Sequence, residues 1–181
     1  MPQLDPTETT NIDGYGADVI PWRKVRDLLV SDLPRPETAA FLGTVSPDGH
    51  PHAAGIGPLY HDGALYFTTG PHARKTRDPL ANPTCTLAMR VTGMDLTFDS
   101  TATRETNSLV LEAVVGKYRD GGWPAEVDAG GDALTGPYSA QTAGPPPWSL
   151  YRFTIAQIVG LNLSASGGAT RWRFTTPSEF S

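Results

Sequence analysis

Thr68 and Thr69 stand directly before a segment, TTGPHARKTRDPLANP, that packs Arg74, Lys75 and Arg77 into an otherwise acidic chain. Hydroxyls beside a guanidinium and an ammonium suit phosphate, because Arg supplies a planar fork of donors and Lys a compact point charge. Each hydrogen bond to a charged group contributes about 1.5–3 kcal/mol, so Arg74 and Lys75, aided by the threonines, would hold a terminal phosphate firmly. The Gly70-Pro71 turn would return the two cations towards those hydroxyls. A solvated face on which Arg74, Lys75 and Arg77 pair with Asp78 fits the same spacing, and spacing alone leaves both readings open.

Other reactive types are less organised. His50 and His52 would share one side of a continuous strand, but a hairpin breaks that regularity, and no acidic or Cys ligand lies at metal spacing nearby, so no metal is expected. His61 and His72 fall in turns. Ser46 and Ser108 lack the strand-turn-helix context of an activated nucleophile, and the glycines of DAGGDALTG do not form a phosphate loop. Cys85, the single cysteine, reads as a small hydrophobe within the strand TCTLAM. AGPPPW reads either as a polyproline ligand for a partner domain or as a stiff lid or subunit arm.

The elements that must position these residues follow from periodicity. Pro21 opens PWRKVRDLLVS as a first helical residue, with Trp22, Val25, Leu28 and Leu29 on one face. From Thr38 the pattern changes to strands separated by PDGH and HDG, the turns of an antiparallel meander. TCTLAMRV and MDLTFDSTATR add two strands with Gly93 near the bend, NSLVLEAVVGKYR reads as an amphipathic helix, and SLYRFTIAQIVGLNL and TRWRF return to strand. Six or seven strands without strand-helix alternation point to a small antiparallel barrel with two or three flanking helices. Residues 1–20 read as a flexible N-terminal arm, residues 21–181 as a single domain, and residues 121–147 as a Gly/Pro-rich loop long enough to be functional.

The 181 residues carry a net charge of −5, which removes the phosphate attraction behind non-specific nucleic-acid binding. No apolar run approaches the roughly 20 residues of a membrane span, and the polar, acidic N-terminus lacks signal-peptide character. A cytoplasmic protein with neither a nucleic-acid nor a membrane partner is expected.

The ordered series LGTVSPDGHPHAAGIGPLYHDGALYFTTGPHARKTRDPLANPTCTLAM resembles the FMN-binding split β-barrel family of the pyridoxamine 5'-phosphate oxidases and their flavin- and deazaflavin-dependent oxidoreductase relatives. The shared pattern is a strand, a DG-x-P-H hairpin, a second strand, a YFTT strand, RK five to six residues on, then NP and another strand. It covers Ala39 to Arg104, with a weaker echo at the tail. The resemblance implies a mainly β, antiparallel split barrel. It also assigns Thr68 and Thr69 to the cofactor's phosphate or ribityl chain, Arg74 and Lys75 to its phosphate, and the strand His52, Ala53, Ala54, Gly55 and Ile56 to the ring. Small residues there let a flat ring approach the backbone, although tight packing would also select them. TRWRF resembles the RWRF ending of the oxidoreductase branch, where an aromatic lies near the ring across a dimer interface; Trp172 takes that position, with a core or interface tryptophan as the alternative.

The Arg-x-His substrate motif of true pyridoxamine phosphate oxidases does not occur in the tail, TRWRFTTPSEFS. The resemblance therefore implies a homodimeric oxidoreductase that binds FMN, or alternatively coenzyme F420, between subunits and passes hydride to or from a small organic substrate. No catalytic side chain is implied, and His52 is the nearest candidate proton donor. Arg77 and Arg90 would suit the acidic tail of F420. The competing expectations are a non-catalytic FMN, F420 or small-ligand binding protein on the same barrel, and a partner-binding module that uses PPPW.

Overall fold

In the computed structural model, residues 4–33, 35, 37–71, 73, 82–141 and 143–175 are described. Helix α1 (Trp22–Asp32) follows Pro21, which stands as N-cap rather than first helical residue, and buries Trp22, Val25 and Leu29 along one face. Strands β2 (Ala40–Val45) and β3 (Pro51–Ile56) form the first hairpin, whose Gly49 holds a φ of 85° that favours glycine. Strands β4 (Leu59–His61) and β5 (Ala64–Thr69) form the second, closed by Asp62 and Gly63, both at positive φ. That is the Asp-Gly geometry whose twist matches paired strands. Strands β6 (Thr84–Val91) and β7 (Met94–Glu105) follow, and α2 (Ser108–Asp120) is capped by the Asn107 side chain, which accepts from the Leu109 and Val110 amides. No described helix is long and apolar enough to cross a membrane.

The long strand β10 (Ser149–Asn162) organises the sheet. One edge pairs with β7 along its length, while the other pairs first with β5 (Ser149 to Phe153) and then with β11 (Ala169–Arg173, opposite Gln157 to Leu161). A register shift between Ile155 and Gln157 falls where β10 changes partner, and such a bulge bends a strand enough to serve two sheet edges. With β1 (Glu8–Asn11) at one end, the main path runs β1-β11-β10-β7-β6-β2-β3, with β5 branching from β10 and β4 attached to β5. Leu42 of β2 and Phe67 of β5, which are not hydrogen-bonded neighbours, share one core with Phe98, Phe153 and Trp172, so the sheet closes around its own interior. This is the mainly β, antiparallel split barrel expected from sequence. Among the described residues, nine strands in the main sheet exceed the six or seven expected, because short elements such as β4 escape a periodicity count.

The expected free arm over residues 1–20 is corrected by β1 (Glu8–Asn11), which pairs with the open edge of β11 from Arg173 to Thr170. Arg173 reaches Glu8 at 3.1 Å, the Ile20 amide donates to the buried Thr170 hydroxyl at 2.9 Å, and the Trp22 indole donates to the Leu4 carbonyl at 2.8 Å. A polar Thr-rich segment becomes a strand because a free ladder edge is within its reach.

Strand β5 is buried on both faces, since Leu65 and Phe67 enter the barrel core while Ala64 and Tyr66 meet α2 residues Leu111, Val114 and Val115. At the end of α1, the buried Asp32 carboxylate accepts from the Thr92 amide at 2.6 Å and the Ser31 hydroxyl at 2.9 Å, tying the helix to the β6–β7 turn. Burial alone would raise its pKa, but the hydrogen bonds from Thr92 and Ser31 and the charge of Arg35 outweigh it and hold the carboxyl below its ordinary value. A depressed folded pKa gives stability that is present above the unfolded pKa and lost as pH falls through the folded one. Asp32→Asn is therefore expected to cost about 1.5–3 kcal/mol near neutrality and to flatten the acid limb of the stability curve. Urea midpoints taken down through the carboxylate range check this; parallel curves for the two proteins would contradict it.

Candidate functional site

A groove of about 720 Å³ opens where the end of β3, the end of β5 and the segment after α2 converge. Gly55, Ile56 and Pro58 form one wall beside Thr68, Tyr118 and Trp123 form the back, and Tyr138 to Gln141 with Ala143 form the opposite wall. Phe41 and Arg35 also line it, with Leu33, Gly57 and Gly121 among others. The size lies within the range of small-molecule and cofactor sites.

The opposite wall belongs to the stretch expected as a Gly/Pro-rich loop, and its order has identifiable causes. Strands β8 (Glu126–Val127) and β9 (Leu134–Thr135) pair across a turn in which the Asp128 carboxylate accepts the amides of Gly130, Asp132 and Ala133. Arg104 holds Asp132 at 2.9 Å. The Trp123 indole donates to the Tyr138 carbonyl at 2.6 Å, and the Trp148 indole to the Gly144 carbonyl at 3.0 Å. Gly70 is required where β5 meets this strap, because a Cβ there would collide with the Ala143 carbonyl oxygen.

Tyr118 and Trp123 pack edge to face with centroids 4.9 Å apart. Burial pushes the Tyr118 phenol above its ordinary pKa, so it stays a protonated donor, 3.4 Å from the Gly57 carbonyl. A second groove, of about 530 Å³, adjoins the first and shares Leu33, Arg35 and Gly121 with it. Its lining includes His61, whose pKa burial lowers first and the nearby Lys117 charge second, so the imidazole is neutral at physiological pH. Among the described residues no group of three or more His, Cys, Asp or Glu side chains is gathered as metal ligands would be. Cys85 is buried, and desolvation pushes its thiol up to about 12.

Of the residues named from sequence, the structure brings Gly55, Ile56 and Thr68 together on the large groove. His52, Ala53 and Ala54 lie farther along β3 and do not line it; strand alternation leaves Ala53 and Gly55 exposed and the three residues between and beside them half-buried. Thr69 does not line the groove with Thr68: successive strand residues face opposite ways, and Thr69 is 1% exposed. Arg74 and Lys75 lie outside the described residues, as does Arg77. Trp172 is also corrected: at 0% exposure it packs in the barrel core, 5.9 Å from the Trp22 ring, under Gly160, which leaves room for its indole. Covering the surface with a second subunit would only bury it further. Arg35, Phe41, Trp123 and Tyr138 were missed. The aromatics in GGWP and GPYS, set inside a polar loop, were the available signal for the last two.

A comparison with curated proteins finds no match. Among solved structures, the chain is similar to a pyridoxamine 5'-phosphate oxidase-related, FMN-binding protein from Nostoc punctiforme, at 16% identity and TM-score 0.59, over 91% of this chain and 96% of that one. It is also similar to a NimC/NimA family protein from Clostridium acetobutylicum, at 14% identity and TM-score 0.55, over 83% and 89%. An FAD-binding protein from Mesorhizobium loti shares 17% identity at TM-score 0.52, over 84% and 94%. At these identities the likenesses speak for the fold. The family model for pyridoxamine 5'-phosphate oxidase matches residues 29–161, from the last turn of α1 almost to the end of β10. With more than half of its residues inside that match, the chain belongs to the pyridoxamine 5'-phosphate oxidase family.

Proposed function

We propose that the protein is a flavin- or deazaflavin-dependent oxidoreductase of this family, holding FMN, or alternatively coenzyme F420, in the large groove. The observation that carries this reading is the meeting of Gly55, Ile56 and Thr68, from two separate strands, on one groove of cofactor size. The fit is physical as well: nothing lies within 4 Å of where a Gly55 Cβ would stand, so a flat ring can approach that backbone. The bound cofactor would supply hydride transfer to or from a small organic molecule. Gly55 and Ile56 would offer backbone to the ring, and the Thr68 hydroxyl would bond the cofactor's tail. Trp123 and Tyr138 would exclude water and flank a substrate, while the protonated Tyr118 phenol keeps Gly57 in place. The absent Arg-x-His motif argues against oxidation of pyridoxamine phosphate itself.

A homodimer with the groove at its interface accompanies this reading. Across β3, β2, β6 and β7, the register sets exposed Gly55, Phe41, Ala88 and Thr97 in one row. Phe41 is 54% exposed on this uncharged row and also lines the groove, so a partner covering the row would border the site. Light scattering should report a dimer, and Phe41→Arg should weaken it by about 2 kcal/mol or more; a monomeric wild type would end this part of the reading.

The visible spectrum of the purified protein tests the cofactor, since flavin gives two bands in the near-UV and blue and deazaflavin a single band between them. Turnover with NAD(P)H or reduced F420 then tests the enzyme. A bound chromophore that never reduces an acceptor would leave a non-catalytic binding protein, and failure to bind FMN or F420 would end both.

A further inference from the structure

Arg35 is the one charged residue among the described residues that line the large groove, and no carboxylate accompanies it there. Its backbone is fixed on both sides, because the Arg35 amide donates to the Asp32 carbonyl at 3.0 Å and the Thr38 amide donates to the Arg35 carbonyl at 3.1 Å. The side chain is 57% exposed and meets Asp32 only at 3.5 Å. Asp32 is also held by Thr92 and Ser31, so Arg35 is one of several groups that steady it, and a single 3.5 Å approach does not saturate the guanidinium fork. Resting on the reading of this groove as the redox site, we propose that Arg35 anchors the anionic group of the substrate, which is an organic acid with an apolar body.

Among the described residues, a single guanidinium in an otherwise uncharged lining, aromatic, aliphatic and glycine residues with Thr38, Thr68, Ser139 and Gln141 between them, complements one negative charge on a largely apolar molecule. Neutral analogues leave that guanidinium without its bidentate partner. The junction position adds a direction. Arg35 also borders the smaller groove, where Leu33, Leu59 and Val30 continue the apolar surface. In that groove Lys117 adds a second cation, while Asp62 and Asp120 oppose an anion. The charge of the ligand is therefore expected to stop at Arg35, with its body lying in the large groove. Carboxylate and phosphate share this chemistry.

The experiment uses the full chain saturated with FMN and two probes of equal shape, 4-phenylbutyrate and 4-phenylbutyramide, with binding followed by calorimetry. The carboxylate should bind roughly tenfold or more tightly than the amide. Arg35→Gln should abolish that preference and Arg35→Lys should retain part of it. In parallel, FMN and riboflavin affinities are compared in each variant. If Arg35→Gln instead removes the preference for FMN over riboflavin, Arg35 holds the cofactor's phosphate and the proposal falls. It falls equally if the wild type does not distinguish the two probes. Failure of FMN to bind the wild type at all is separate, since it overturns the redox reading while the probes still report on Arg35.

Discussion

Replacing Trp172 with Ala is expected to lower the free energy of unfolding by about 3–5 kcal/mol, the usual cost of emptying a large aromatic site in a core. The indole is fully buried beside Trp22 at 5.9 Å, and Gly160 sits against it, with the place of its missing Cβ only 2.9 Å from the Trp172 ring. Collapse into the void would have to move β10 or α1, both of which are fixed by other contacts. One term opposes the loss, because the Trp172 indole N–H has no hydrogen-bond partner among the described residues and an orphan buried donor is itself unfavourable. Trp172→Phe removes that donor while keeping most of the volume and should cost much less. Urea unfolding separates the two variants, and the Phe variant stays folded well enough for flavin titration. Lost flavin affinity in Trp172→Phe with an unchanged midpoint would restore a cofactor contact.

The largest effect on binding is expected from Arg74→Ala combined with Lys75→Ala. Two hydrogen bonds to a charged phosphate, at about 1.5–3 kcal/mol each, give roughly 3–6 kcal/mol, or about two to four orders of magnitude in affinity for FMN. Both cations follow in sequence after β5, which ends at Thr69 and whose Thr68 lines the groove. Riboflavin, which lacks the phosphate, should bind the double variant as it binds the wild type. Fluorescence titration with the two ligands checks this. An equal loss for both would mean that the segment had been misfolded, and no loss would return the pair to surface charge.

Much of the fold was legible because its signals are local. The turns at Gly49 and at Asp62-Gly63 need positive φ, and the residues that permit it stand there. Trp22, Val25 and Leu29 mark the inward face of α1 by spacing alone. The site was partly legible for the same reason: Thr68 is named by its place before the cations. Reading adjacent hydroxyls as a pair overlooks that a strand's period of two turns neighbours apart, which leaves Thr68 on the groove and Thr69 off it. Strand β1 was hidden because nothing in ETTN demands a strand until the edge of β11, more than 150 residues away, offers one. Arg35 does not stand out in the sequence because a guanidinium after a helix is common; only its place as the one charge among the described residues of the groove sets it apart.

Strand β10 bears on how the chain acquires this structure. The meander from β2 to β7 precedes it, yet β5 and β7 pair with each other only through β10, and β11 then receives β1 from the opposite end of the chain. During synthesis the two branches of the sheet have no means of joining until residues 149–162 have emerged, and loop closure over such separations is slow. The exposed edges of β5 and β7 must therefore wait as unsatisfied templates. The protein is assembled by its last quarter, and substitutions within β10 should be felt in the yield of folded protein before they are felt in its chemistry.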